Sequence, residues 1–173
     1  MLTCDDSIRY YQQYNQGRPE DHYSLVDKDI HILNGLVIGS KSKTILDYGS
    51  GRGLQYTKYG LNKRFSIASE NVTCYDIGVP EFSTLPSNKF DGVICTDVLE
   101  HIPVEYLDAN LETIFSKATK FVFFVVFCGP ANNTLPNGEN AHCTIEEPEW
   151  WHNKIRSFNT NDTPLCINFR LPI

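Results

Sequence analysis

Two groups of residues in this chain have the types and spacing that chemistry requires. In the run TILDYGSGRGLQ, Asp47 is followed by Gly49, Gly51 and Gly53, with Ser50 inside the bend. Glycines let a backbone turn sharply and bring its N–H groups against a ligand, and a helix starting just after the bend favours negative charge there. A carboxylate or a phosphate suits such a turn. Further along, Asp97, Glu100 and His101 stand at i, i+3 and i+4, so a helical segment would put them on one face, and His142 can join them from a loop. The four form a mixed nitrogen and oxygen set suited to a divalent metal. Taken singly, His101 and His142 are the candidate catalytic bases for an acceptor proton. The plainer alternative is that Glu100 and His101 brace a turn and that each histidine is structural.

Positioning these residues takes an alternation of strands and helices. Residues 24–38 place Val26, Ile30, Leu33 and Val37 at helical spacing, with Ser24 as N-cap, Asp27 three residues on as in a capping box, and Gly39 as the stop. The run 44–48 reads as a strand leading into the glycine bend, and 54–59 as a short helix leaving it. A second strand over 72–75 ends at Asp76, and a third covers 91–96; the proline-bearing stretch between them is too short for a full helix. Pro103 opens a helix whose apolar stripe is Val104, Leu107, Leu111, Ile114 and Ala118. The uninterrupted apolar run 121–128 predicts the middle strand of a parallel sheet. Residues 129–143 read as a long surface loop, followed by a helix from Pro148 through Trp151 and Ile155 and a last strand over 165–171. Such alternation specifies an α/β sheet whose ligands bind beyond the carboxyl ends of the strands.

Composition narrows the function. With 173 residues, 41% hydrophobic and 21% charged, the chain fits one small domain with a real core. Lys and Arg total 15 against 21 Asp and Glu, and the net charge of −6 opposes bare nucleic acid as a partner. One stretch runs the other way: Lys41, Lys43, Arg52, Lys58, Lys63 and Arg64 face only Asp47, as a solvated basic face or a contact to an anionic substrate. No apolar run approaches the roughly 20 residues that cross a bilayer, and no signal pattern opens the chain, so no membrane partner and a cytoplasmic location are expected. None of the six cysteines forms a C-x-x-C pair, which favours reduced thiols over disulfides or zinc.

The nucleotide fingerprints fail: Leu54 stands where G-x-G-x-x-G needs its third glycine, and no G-x-x-x-x-G-K-[ST] loop occurs. What the glycine run resembles is motif I, [D/E]-x-G-x-G-x-G, of class I Rossmann-like S-adenosylmethionine (SAM) methyltransferases. Asp76 at the end of the second strand and FDGVICTDVLEHI from Phe90 resemble the later motifs of the same superfamily, in the same order. The resemblance covers about residues 25 to 130, and the short form looks like small bacterial and phage-encoded members with little substrate cap.

It implies a Rossmann-like, mostly parallel sheet with helices on both faces, in a single small domain. It also implies a SAM-binding set of Asp47, Gly49, Ser50, Gly51, Gly53, Asp76, Ile77 and Asp97. Within that set Gly49 and Gly51 border the methionine part, Asp47 holds its amino end directly or through water, and Asp76 accepts from both ribose hydroxyls. Ile77, Phe82 and Leu85 are the candidates for the adenine walls. The Asp97/Glu100/His101/His142 set is similar to metal-assisted O-methyltransferases acting on small-RNA 2′-hydroxyls or in ubiquinone pathways. One tryptophan of Trp150 and Trp151 is expected in the core and the other on the acceptor pocket, with Tyr10, Tyr11 and Tyr14 in a lid formed by residues 1–23. No D/N-P-P-aromatic tetrapeptide and no Pro-Cys occurs, which argues against amino and C5 methylation of DNA bases. The expected activity is methyl transfer to a small molecule or small exposed group, with a catalytically silent SAM-binding module and an RNA 2′-O-methyltransferase as the alternatives.

Overall fold

A computed structural model of the protein describes residues 12–13 and 27–172. The expected tyrosine lid, the Ser24 cap, Val26 and Cys4 lie outside the described residues. Helix α1 (Asp27–Ser40) leads into β1 (Ile45–Tyr48), the short α2 (Leu54–Thr57), β2 (Val72–Tyr75), β3 (Phe90–Thr96), α3 (Val104–Lys117), β4 (Ala118–Phe127), α4 (Pro148–Ser157) and β5 (Leu165–Arg170). Between β2 and β3 stands only a 3-10 turn, Pro80–Phe82, in place of a crossover helix.

The five strands form one all-parallel sheet in the order β2-β1-β3-β4-β5. Side chains alternate across it with the period of two that a strand imposes. Ile45, Ile94, Phe121, Phe123 and Val125 pack with Ile30, Leu33 and Val37 of α1. Leu46, Val93, Cys95, Val122, Phe124 and Val126 pack with Leu107, Leu111 and Ile114 of α3 and with Trp151 and Ile155 of α4. Each fully buried leucine or isoleucine of α3 contributes roughly 1.5–3 kcal/mol. This is an α/β fold of the Rossmann-like kind, in a single small domain. Its chain leaves β2 on one side of β1 and re-enters as β3 on the other, so the carboxyl ends of β1 and β3 flank a topological switch point.

Three sequence expectations are corrected here. β4 is buried on both faces but stands next to the edge strand; β3 is the middle, because burial of a strand reports what covers it and not how many strands lie beyond. Gly39 lies inside α1, and the helix stops instead at Lys41, which takes φ +52°; Lys41 N–H then bonds Ile38 O (3.1 Å) and Ser42 N–H bonds Val37 O (2.9 Å). That is the paired closure usually built on glycine. Val104 is 53% exposed and Ala118 opens β4, so the stripe of α3 is completed by Phe115.

Cys74, Cys95, Cys128, Cys143 and Cys166 are free thiols. Among the described residues no helix is long and apolar enough to cross a membrane.

Candidate functional site

The glycine turn leaves β1 with Gly49, Gly51 and Gly53 at φ +83°, +55° and +65°, a backbone path that residues with a Cβ rarely follow. At Gly49 a Cβ would also collide with both methyl groups of Val98, which follows β3. The turn's amides point inward. Gly49 and Ser50 N–H donate to Tyr75 O (2.7 and 3.1 Å), Gly51 N–H to Asp76 Oδ2 (2.7 Å) and Gly53 N–H to Ser50 O (3.2 Å). The other Asp76 oxygen, Oδ1, accepts from Gly78 N–H (2.8 Å), so this acid ties the turn to the segment after β2. A carboxylate has about four acceptor sites, so an acid such as Asp76 can take several donors at once. Ile77 beside it is 42% exposed, Leu85 is exposed as well, and the Phe82 ring lies against Gly53.

Asp47 sits one layer below, 1% exposed. Its Oδ2 accepts from Tyr56 Oη (2.6 Å) and Gln55 Nε2 (2.8 Å), and Gln55 Nε2 also donates to Ser50 O (3.0 Å). Burial pushes the Asp47 carboxyl up to about 6, with the charge of Asp76 adding and the two hydrogen bonds opposing. Asp47 therefore braces the turn from beneath through α2.

Beyond β3 the geometry departs from the expected helical face. Asp97 takes φ +54° and the next regular piece is a 3-10 turn, Leu99–His101, so an i, i+3, i+4 face does not form. The Asp97 carboxylate is instead engaged by Arg170 at the end of β5, which also binds Asp29 of α1 (2.6 Å). Asp29 is fully buried and receives a further bond from Asn168 Nδ2 (3.2 Å). Asp97 thus leaves the expected metal set for an ion-pair network.

The other three members do meet. One ligand atom each from Glu100, His101 and His142 lie within 4.8 Å of one another. Glu100 is fully buried; its Oε1 accepts from Phe127 N–H (3.1 Å) while Oε2 has no hydrogen-bond partner. Burial pushes this carboxyl up to about 8, the Asp97 charge adds to it, and backbone hydrogen bonds and Arg170 oppose. His101 Nδ1 lies 2.7 Å from Ala141 O and His142 Nδ1 lies 2.6 Å from Gly129 O. A carbonyl only accepts, so in both rings Nδ1 carries a proton, and in the neutral imidazole Nε2 is then the nitrogen that could bind a metal. The rings meet edge to face at 4.8 Å, with Phe127 packed on His142. Two imidazole nitrogens and an orphaned buried carboxylate oxygen fit a divalent transition metal. Trp151 is in the core, and Trp150 packs across it, half-buried.

Sequence reasoning missed Gln55, Tyr56, Asp29 and Arg170. A faint signal for the last two existed: an acid directly before the apolar stripe of α1, and an arginine ending an apolar strand. A scan of protein families finds no match to this chain, and neither does a search of curated proteins.

Proposed function

We propose that this protein is a SAM-dependent methyltransferase acting on a small molecule or a small exposed group, with Glu100, His101 and His142 holding a divalent metal beside the acceptor. The observation that carries the reading is the buried Glu100 carboxylate, its Oε2 without a hydrogen bond, within 4.8 Å of ligand atoms of two histidines of set tautomer, at the same carboxyl edge of the sheet as the glycine turn and Asp76. SAM, when bound, supplies a methyl group on a sulfonium, which already carries the driving force for transfer. A divalent ion, when bound, would lower the pKa of an acceptor hydroxyl and orient it.

The chain's own residues do the rest by position. Asp76, at the end of β2 and tied to the turn, is the carboxylate offered to the ribose hydroxyls, and exposed Ile77 gives an apolar surface to the adenine. Asp47, through Gln55 and Tyr56, keeps the turn in its left-handed path. With a metal held, both Nε2 atoms would be engaged as ligands; in the metal-free alternative the Nε2 of His142 or His101 is the candidate base for the acceptor's proton. Trp150 is the residue offered for the acceptor wall. A cytoplasmic site of action goes with these expectations.

A second reading is a catalytically silent SAM-binding module, which a small substrate cap favours: between β2 and β3 stands only a 3-10 turn. Calorimetric titration with SAM, S-adenosylhomocysteine and NAD decides the ligand. Release of S-adenosylhomocysteine over an acceptor panel, with manganese, cobalt or chelator, decides catalysis. Binding of SAM without product on any acceptor favours the module; absence of SAM binding ends both readings.

A further inference from the structure

We infer that Asn140 is the positioning residue of the Glu100/His101/His142 centre, the group that sets His142 in the one orientation in which its ring meets the other two. This rests on the metal reading above for its purpose but not for its geometry. The segment between β4 and α4 has little regular structure, a single bridge from Thr134 to Asn140, yet its bonding is dense around one side chain. Asn140 Oδ1 accepts from Ala131 N–H and from His142 N–H (2.9 Å each), while Nδ2 donates to Ala131 O (2.9 Å). The amide thereby completes a strand-like pair with Ala131, using its acceptor and its donor at once, and closes an Asx-type turn onto His142.

Three consecutive residues then grip three different places. Asn140 holds Ala131; Ala141 accepts from His101 Nδ1 and donates its N–H to Asn133 O (3.0 Å); His142 donates from Nδ1 to Gly129 O, two residues before the Asn140 anchor. Thr144 fastens the far side, its N–H on Glu100 O (3.0 Å) and its hydroxyl on Ile102 O (2.7 Å). The loop is therefore folded by its own bonds around the ligand atoms, and the Asn140 side chain is where the 129–131 anchor and the His142 backbone are joined. Only an asparagine has this combination at this length: aspartate lacks the donor, and glutamine reaches too far.

The test compares wild type, Asn140→Ala and Asn140→Asp. Cobalt(II) titration followed by its visible absorption should show Asn140→Ala binding 10- to 100-fold more weakly, the usual cost of losing a group that orients a ligand. Asn140→Asp, which keeps both acceptor bonds, should fall between. Nitrogen-15 imidazole shifts of the metal-free protein, at a pH where both rings are neutral, should show His142 protonated at Nδ1 in wild type and mixed between tautomers in Asn140→Ala. Affinity for SAM should stay within twofold in all three. Cobalt affinity and His142 tautomer both unchanged in Asn140→Ala overturn the inference, as does a parallel loss of SAM affinity, which would mean general collapse of the loop. If Asn140→Ala does not fold, the same readouts on Asn140→Asp decide. If wild type binds no cobalt, the metal reading fails, and the tautomer comparison alone still settles whether Asn140 sets His142.

Discussion

The two halves of the site handle their polar groups in opposite ways. Around the glycine turn nearly everything is spent within the protein: four amides have internal acceptors, Asp76 takes two backbone bonds, and Asp47 is bonded by Tyr56 and Gln55. Around Glu100 one carboxylate oxygen is buried with no hydrogen bond, and both imidazoles are fixed on their far side by carbonyls. A group that is satisfied stabilises the fold, whereas a buried acceptor left unmade costs about 1–3 kcal/mol. Substitutions in the first half should therefore cost stability, and substitutions in the second should cost binding while leaving the fold as stable or more so.

The largest expected effect is at Gly49. Gly49→Ala combines a left-handed φ with a collision against Val98, and urea denaturation should register a loss of about 3–4 kcal/mol. A loss below ~1 kcal/mol would mean that Val98 moves aside and that the turn is looser than its bonds imply. Next comes the pH dependence of Asp47. Burial pushes its folded carboxyl up to about 6 against an ordinary value of 3.8, so between those limits the native state holds the extra proton. Stability should accordingly fall as pH rises through that window, by about 3 kcal/mol from this group. Asp47→Asn should flatten that slope; an unchanged slope assigns it elsewhere.

Asp76→Ala should weaken SAM binding by roughly 1.5–3 kcal/mol, measured by calorimetry, if a charge-assisted bond to the ribose is lost. Equal affinity rejects the role. The smallest effect on stability is expected in the other half: Glu100→Gln replaces a carboxyl that burial holds largely protonated near neutral pH and keeps an acceptor for Phe127 N–H, so at pH 7 it should unfold within about 1 kcal/mol of wild type. The same variant should lose cobalt binding and, if turnover is metal-assisted, activity. A variant clearly less stable than wild type would show that the carboxylate is already satisfied, which erases the contrast between the two halves.

Much of this was legible because it is local. The turn and its three glycines, the strands around it and the Glu100-His101 pair all follow from short spacings. What was not legible depends on the order of strands. Asp97 and Arg170 meet because β4 and β5 lie side by side beyond β3, and no pattern near either residue announces that neighbour. The inward direction of the turn's amides likewise depends on Tyr75 and Asp76 arriving from β2. Gly39 and Lys41 differ for another reason: glycine is the favoured terminator, but Lys41 takes the left-handed turn itself and closes the helix on Ile38 and Val37, the last buried residue of α1.

The link from Arg170 back to Asp29 bears on how the molecule is made. Burying an aspartate without its cation is costly, so α1 gains little by settling on the sheet before Arg170 is available. During synthesis α1 is expected to stay exposed until the strand that carries Arg170 has emerged. Ribosome-stalled chains halted short of residue 170 should be cut readily in α1 by a protease, and chains released past it should resist.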